Sequence, residues 1–209
     1  GLSALFVVII SVGAVAAVLY SRGYLAHCLA EKSPAHISLH YTALVAMFYA
    51  MLGVVLSDGG FSFLFFWELM TVASFLLILF DAQRREVRRA ALSYLIMMHI
   101  GFVLLVIGFV RLDAPCSAAT FGALGDYFRT QPGLPLLLVF LAGFGMKAGL
   151  FPMHVWLPEA HPAAPSHVSA LMSGVMIKTG VYGILRVTAA LGEQPLLHLS
   201  LVHISEPTR

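Results

Sequence analysis

Charged residues are scarce in this chain of 209 residues, of which only 11% are Asp, Glu, Lys or Arg. An ordinary soluble domain carries about 25% charged residues, whereas 60% of this sequence is hydrophobic. The composition therefore excludes a soluble enzyme and indicates an integral membrane protein in contact with the lipid bilayer. The formal net charge of +2 is too small to favour nucleic-acid binding, so we predict no nucleic-acid partner.

Motifs that bind cofactors or metals are also missing. The two cysteines, Cys28 and Cys116, form neither a metal-ligand spacing nor a disulfide framework. The sequence contains no phosphate-binding loop, no dinucleotide fingerprint, no cysteine cluster for iron–sulfur and no supported Ser/His/Asp set. We therefore expect no catalytic residue, no metal site and no cofactor in this chain, and no redox chemistry by this chain alone.

Long apolar runs are abundant instead. A membrane-spanning helix needs about 20 mostly apolar residues. Six segments meet this requirement: Leu2–Tyr20, Leu39–Leu56, Phe61–Phe80, Ala90–Val110, Leu134–Phe151 and His167–Leu191. None of them alternates like a strand, and lipid permits only helices or closed barrels. We therefore predict an all-α, polytopic membrane bundle of six transmembrane helices that occupies residues 1–198 as one domain.

The two ends of the sequence lead to separate expectations. The chain begins with Gly1 directly inside an apolar run, which we interpret as the truncation of a longer protein. Residues 199–209 are polar and follow the membrane region abruptly. We predict that they are a non-native tail translated from a sequencing adapter, which is excluded from fold reasoning. The alternative is a natural periplasmic loop that is cut short.

Basic residues predict the orientation of the helices, because cytoplasmic loops carry an excess of Lys and Arg. Loop 81–89 contains four arginines, so we predict that it is cytoplasmic. The alternation of helices then places loops 21–38 and 152–166 on the same side. The opposite loops, 57–60 and 111–133, are poorer in basic residues, which agrees with this orientation.

Three charged residues lie well inside the apolar segments: Glu68, Lys147 and Lys178. Ionisable groups within the membrane are expensive, and their default interpretation is functional. Thr71 and Ser74 follow Glu68 at helical spacings and form a polar stripe with it. We expect this stripe to face other helices or water. The alternative is a packing carboxylate that is hydrogen-bonded to a neighbour.

Lys147 lies among glycines and is followed by Pro152 and Pro158. Proline removes a backbone donor, and broken helices occur where the backbone lines a hydrated cavity. We therefore predict a broken helix around Lys147–Pro158. Burial disfavours the charged form of a lysine and a nearby carboxylate favours it, so a Glu–Lys pair that approaches and separates would load and unload a proton. A structural ion pair between helices is the alternative.

Lys178 shares a helix face with Gly174 and Tyr182, four residues to either side. We expect this small residue and this hydroxyl to frame the lysine.

Several titratable side chains lie between or beside the two lysines. Imidazole exchanges protons near neutral pH, which suits a relay or intake role for His154, Glu159, His161 and His167. Loop packing and interface hydrogen bonds are the alternative for this group. His99, alone in the fourth segment, is either an interhelical hydrogen-bonding residue or a further relay residue.

The segments that carry these charges show a specific family resemblance. The segment FLFFWELM around Glu68 and the string GMKAGLFPMHVWLPEAHPAAPSHVSALMSGVMIKTGVYGILR closely resemble the proton-conducting antiporter-like membrane subunits. Such subunits occur in respiratory complex I, in Mrp-type sodium/proton antiporters and in energy-converting hydrogenases. The part WLPEAHPAAPSHVSALMSG is most similar to the branch formed by the antiporter-like subunits of hydrogenase 4 and formate hydrogenlyase.

The resemblance implies an architecture and a set of roles. The six segments would be helices three to eight of a larger subunit, within one of its two inverted-repeat halves. Glu68 would pair with Lys147, and Lys178 would pass the proton toward the centre of the subunit. Partner membrane and peripheral subunits would carry iron–sulfur clusters and nickel–iron, in a bacterial or archaeal cell (inner) membrane. The transported ion would be the proton, with Na+ as the alternative.

Overall fold

The computed structural model describes residues 1–28, 32–116 and 119–191. The predicted non-native tail, residues 199–209, lies outside the described residues. Within the described ranges the chain is helical, and its only β-type pairing there is a single bridge between Gly59 and Thr120. The α-helices are α1 (Leu2–Cys28), α2 (Pro34–Leu56), α3 (Gly60–Ile78), α4 (Arg85–Cys116), α5 (Leu124–Thr130), α6 (Gly133–Ala148), α7 (Leu157–Ala163), α8 (Ser166–Leu171) and α9 (Ile177–Ala190).

The prediction of an all-α bundle with six membrane crossings is confirmed. The six stretches that are long and apolar enough to span a bilayer are Leu2–Ala26, Pro34–Leu56, Gly60–Asp81, Arg85–Asp113, Gly133–Ala163 and Ser166–Ala190. Helices α6 and α7 form one crossing between them, as do α8 and α9 with the turn of π-helix Met172–Met176 that joins them. The chain is therefore a multi-pass membrane protein.

The boundaries differ from the prediction where charged residues occur inside helices. The predicted loops 21–38, 81–89 and 152–166 are partly helical, because α1 continues to Cys28, α2 begins at Pro34 and α4 begins at Arg85. A 3-10 turn (Met153–Trp156) and α7 occupy most of the third loop. These stretches are polar helix ends at the membrane surface, so a hydropathy window does not detect them. The predicted loop 111–133 likewise contains α5.

The break in the fifth crossing lies where the glycines and prolines predict it. Helix α6 ends at Ala148, and Gly149 caps it with a left-handed backbone at φ 66°. Glycine adopts this conformation without the penalty that a Cβ atom imposes. Pro152 follows, and the chain then forms the 3-10 turn and α7. The predicted broken helix around Lys147–Pro158 is therefore confirmed.

Helix α6 is held at the centre of the bundle by close glycine contacts. A Cβ atom at Gly180 of α9 would lie 2.6 Å from the backbone nitrogen of Ala148. A Cβ atom at Gly143 would lie 3.0 Å from the carbonyl oxygen of Gly101 in α4, and a Cβ atom at Gly101 would lie 3.0 Å from the carbonyl oxygen of Gly143. Small residues allow membrane helices to approach this closely. The backbone of α6, and with it Lys147, is therefore fixed between α4 and α9.

Ion pairs and hydrogen bonds define the two ends of the bundle. At one end, Lys32 lies 2.6 Å from Asp81, which brings the first and third connections together. Residues of α4, of α7 and of the turn before α4 line a cavity of about 360 Å³ at this end, and four of them are charged: Arg84, Glu86, Arg89 and Glu159. We call this end of the bundle the basic end. At the opposite end, Arg186 lies 2.8 Å from Asp58, and Phe121 donates to the Asp58 carbonyl at 3.0 Å.

Candidate functional site

Lys147 is buried at the centre of the bundle with only 1% of its surface exposed. It lies about 21 Å along the α6 axis from Gly133, at 1.5 Å per residue. Its Nζ donates to Thr71 Oγ1 at 3.0 Å and to the hydroxyl of Tyr94 at 3.2 Å. The rings of Trp67 and Tyr94 each lie 5.6 Å from Nζ. The ammonium group is therefore bound by neutral hydroxyls and aromatic faces.

The two hydroxyls that bind Lys147 extend into a chain of hydrogen bonds. Tyr94 OH lies 2.5 Å from Ser74 Oγ, and Ser74 donates to the carbonyl of Met70 at 2.7 Å. Because Ser74 uses its proton on that carbonyl, it accepts the proton of Tyr94, and Tyr94 in turn accepts from Lys147. Thr71 donates to the carbonyl of Trp67 at 3.1 Å, so it too accepts from the lysine. The arrangement leaves the hydroxyl oxygens of both Thr71 and Tyr94 as acceptors for the lysine.

Glu68 contacts a histidine in this structure. Its Oε1 lies 2.9 Å from His99 Nε2. His99 Nδ1 lies 2.9 Å from the carbonyl oxygen of Leu95, which only accepts, so Nδ1 carries a proton. The contact with Glu68 requires one further proton, which lies on His99 Nε2 or on the carboxyl group. The pair therefore shares one proton between the two side chains.

The second carboxylate oxygen of Glu68, Oε2, takes no part in the contact with His99. Oε2 is buried and has no hydrogen-bond partner among the described residues. Among the ion pairs of the described ranges, Glu68 joins His99 and no pair joins it to Lys147. Thr71, about one helical turn after Glu68 on α3, accepts a hydrogen bond from the lysine directly. Glu68 is thus placed beside the lysine site with one oxygen that no described residue binds.

Lys178 lies at mid-depth on the outside of the described bundle. It is about 18 Å along the axis from Ser166, at 1.5 Å per residue. Its exposed Nζ donates to the carbonyl of Gly174 at 2.8 Å. The π-helix turn at Met172–Met176 offers these carbonyls because its hydrogen bonds are displaced from the α-helical pattern. The predicted frame is only half present, since the Tyr182 hydroxyl donates to the Val55 carbonyl instead.

The predicted relay residues form no continuous line with the lysines within the described part of the chain. His154 is half-buried, and its Nδ1 has no partner among the described residues. Glu159 is exposed at the basic end. His161 Nδ1 lies 2.9 Å from Ser169 Oγ, and buried His167 contacts His40. Glu159 thus lies at the basic end, whereas His154 belongs to the 3-10 turn whose Trp156 packs against Tyr94 with ring centroids 5.1 Å apart. Among the described residues, no hydrogen bond joins any of the four to the hydroxyl chain at Lys147.

Sequence reasoning missed two residues of this region. Tyr94 binds Lys147, and His40 pairs with His167. Tyr94 stands within an apolar run in which a tyrosine is ordinary, and His40 is the second residue of the predicted segment Leu39–Leu56, where a polar residue at a helix end is ordinary. A partial signal exists for Tyr94, because Ser74 and Thr71 need polar neighbours when they face the bundle interior. No such signal exists for His40.

The fold and the buried charges define an antiporter-like membrane subunit, and sequence comparison agrees. The family model described as NADH:quinone oxidoreductase/Mrp antiporter, transmembrane region, matches residues 57–206. Because this match covers more than half of the chain, the chain belongs to that family. The expected resemblance is therefore confirmed.

The chain is similar to curated proteins with different names. Hydrogenase-4 component B of Escherichia coli is 37% identical over 203 residues, which cover 95% of this chain and 29% of that protein. An uncharacterised protein of Mycobacterium tuberculosis is 43% identical over 155 residues, 72% of this chain and 24% of that protein. A putative antiporter subunit, mnhA2 of Staphylococcus aureus, is 32% identical over 98% of this chain and 25% of that protein.

Solved structures show the same architecture. A chain of the membrane-bound sulfane sulfur reductase, an archaeal respiratory membrane complex, matches with a TM-score of 0.74 and 29% identity over 90% of this chain. A chain of the Mrp complex from Dietzia sp. matches with a TM-score of 0.69 and 26% identity over 78% of this chain. This chain spans 29% and 18% of those chains and about a quarter of the curated relatives.

Proposed function

We propose that this chain is part of a proton-translocating membrane subunit of a redox-driven complex of the hydrogenase 4 or formate hydrogenlyase type. The observation that carries the proposal is Lys147, a fully buried lysine at mid-depth whose contacts within the described ranges are hydroxyls and aromatic faces, with Glu68 on the neighbouring helix α3. The similarity to hydrogenase-4 component B over 95% of the chain favours this branch of the family.

The mechanism is an exchange of partners at Glu68. In this structure Glu68 shares a proton with His99, and Lys147 is held by Thr71 and Tyr94. A carboxylate that turns from His99 toward Lys147 would stabilise the protonated lysine, and its return would favour release. Redox energy in partner subunits would drive this alternation. The released proton would then reach Lys178 in the neighbouring crossing.

The exposed polar groups support the presence of further helices. His99 is 49% exposed and lies about 21 Å along α4, at 1.5 Å per residue, far from both helix ends. Lys178 is exposed at similar depth. Such groups face protein or a water-filled cavity in a membrane, not lipid chains. The rest of the subunit and other membrane subunits would cover them, and peripheral partners would carry the iron–sulfur clusters and nickel–iron.

A second candidate function is ion exchange in a complex I or Mrp-type assembly. It is favoured by the putative antiporter subunit mnhA2 and by the Mrp complex structure among the relatives. In that case Na+ would move in exchange for protons. A third candidate is a structural membrane anchor of a hydrogenase, in which the buried charges only hold helices together.

Transport by the full-length subunit within its complex, reconstituted in proteoliposomes, separates these candidates. Proton translocation that is independent of Na+ and lost in Lys147→Ala supports the proposal, while transport that requires Na+ favours the Mrp-type function. The anchor is supported if Glu68→Gln and Lys178→Gln leave pumping intact but reduce the yield of assembled complex. Undiminished pumping by Lys147→Ala excludes the proposed role of this lysine.

A further inference from the structure

Two buried histidines meet between α2 and α8, close to the basic end. Nε2 of His40 lies 2.7 Å from Nε2 of His167. The two residues are 4% and 2% exposed, respectively. A contact this short between two ring nitrogens is a hydrogen bond, so one nitrogen carries a proton and the other accepts it.

The remaining nitrogens of this histidine pair have no protein partners within the described ranges. Nδ1 of His40 and Nδ1 of His167 are both buried and unpaired among the described residues. In the neutral pair, the ring that donates through Nε2 has a lone pair on Nδ1, and the other ring has a proton on Nδ1. The pair therefore presents one free acceptor and one free donor, on opposite sides of a hydrogen bond. Buried polar atoms without partners in a native protein require an explanation.

The neighbouring charged groups are already engaged with other partners. Asp81 is paired with Lys32 at 2.6 Å, and His36 Nε2 contacts the Phe80 carbonyl at 2.9 Å. The Phe80 ring lies 4.8 Å from the His40 ring and packs against Lys32 as well. Among the described residues, the histidine pair thus has no carboxylate against it, and its rings pack on aromatic groups just beneath the charged surface. These contacts therefore include no anionic partner that would stabilise a charged histidine in a purely structural role.

We propose that His40 and His167 form a proton relay between the basic end and the interior, an inference that rests on the proposed proton-translocating function. A proton from the surface binds the free Nδ1 of one ring. The proton on Nε2 of that ring crosses to Nε2 of the other, whose Nδ1 releases its own proton inward. One proton enters, one leaves, and the hydrogen bond is reversed. Before the next transfer both rings must turn within the site, which brings the protonated nitrogen of the first ring to face an unprotonated nitrogen of the second.

The crossing that begins at Ser166 leads from His167 toward the lysine site. The π-helix segment ends at Met176, whose sulfur lies 3.7 Å from the hydroxyl of Tyr94, and Tyr94 binds Lys147. The distance from His167 to Met176 is about 13 Å along the helix, at 1.5 Å per residue. Protons released by the relay would cover this distance through water molecules.

Glutamine variants test the relay in the full-length subunit within its complex. Gln places an amide group where Nε2 stands, so His40→Gln and His167→Gln keep a hydrogen bond but cannot pass a proton along the ring. We expect each to slow proton translocation by at least about tenfold per assembled complex, since positioned proton transfer contributes about 10²–10⁴-fold. The double variant should translocate protons no more slowly than either single variant, because the loss of one histidine already interrupts the relay. His36→Gln, with its ring contacting a carbonyl, is the matched control and should keep its rate.

The outcomes separate the relay from the proposed function. Unchanged translocation in both glutamine variants, in a preparation where Lys147→Ala is inactive, overturns the relay alone. A wild-type complex that moves no protons overturns the proposed function and the relay with it. Nitrogen-15 NMR of the full-length protein provides a measurement independent of transport. We expect a scalar coupling between the two Nε2 nuclei that disappears in His40→Gln, and its absence in the wild type contradicts the relay.

Discussion

Removal of the Tyr94 hydroxyl is expected to slow proton translocation at the lysine site. Tyr94→Phe keeps the ring, with its contact to Trp156 and its face toward Lys147, and removes only the oxygen that accepts from the ammonium group. A hydrogen bond to a charged group contributes about 1.5–3 kcal/mol. If that bond stabilises the protonated lysine during transfer, its loss slows proton translocation by about 10–150-fold, at about 1.4 kcal/mol per factor of ten. Ser74 retains its own bond to a carbonyl, so the fold survives.

The assay for this prediction is proton translocation per electron in proteoliposomes, normalised to assembled complex. Tyr182→Phe is the matched control, because it removes a hydroxyl that is equally buried but is bonded to Val55 and Arg186 at the opposite end. We expect this control to lower stability and to leave the proton-to-electron ratio unchanged. Equal ratios in wild type and Tyr94→Phe would refute the reasoning that the hydroxyl chain serves the lysine.

Three further predictions follow from the same geometry. His99→Leu removes the shared proton at Glu68 and should reduce translocation by at least about tenfold with normal assembly in pull-down assays; an unchanged rate contradicts partner exchange. Gly180→Ala should destabilise the protein by about 1–3 kcal/mol, because the added Cβ would lie 2.6 Å from the backbone of α6. Gly23→Ala is the control and should not destabilise it, because no atom lies within 4 Å of its added Cβ. Thermal unfolding in detergent compares the two variants. Lys178→Gln should stop translocation while the thermal midpoint stays within a few degrees, since the side chain is exposed; retained translocation argues against its role.

The architecture follows from physical rules that act on local sequence. Lipid requires long apolar helices, so hydropathy alone locates all six crossings. The break after Lys147 is also local, because a glycine that adopts a left-handed backbone and a nearby proline favour the end of a helix. Hydropathy does not detect the polar helix ends or α5, because α5 has only seven residues and is far shorter than a membrane-spanning segment.

The site is less predictable because it depends on which helices face one another. Periodicity places Thr71 and Ser74 on one face of α3, but it cannot tell that α4 supplies Tyr94 and His99 to that face. The structure therefore gives Glu68 a histidine partner where the family resemblance alone points to Lys147. The π-helix turn beneath Lys178 is likewise a result of packing, with no distinct local pattern in the sequence.

The role of Lys147 is tested by the number of protons moved per electron in a complex that carries Lys147→Ala in the full-length subunit. Electron transfer by the partner subunits continues in this experiment, so the ratio reports on the membrane path alone. If Lys147 carries the proton, we expect the ratio to fall to zero once passive proton leak, measured in empty liposomes, has been subtracted. A ratio equal to that of the wild type would contradict it.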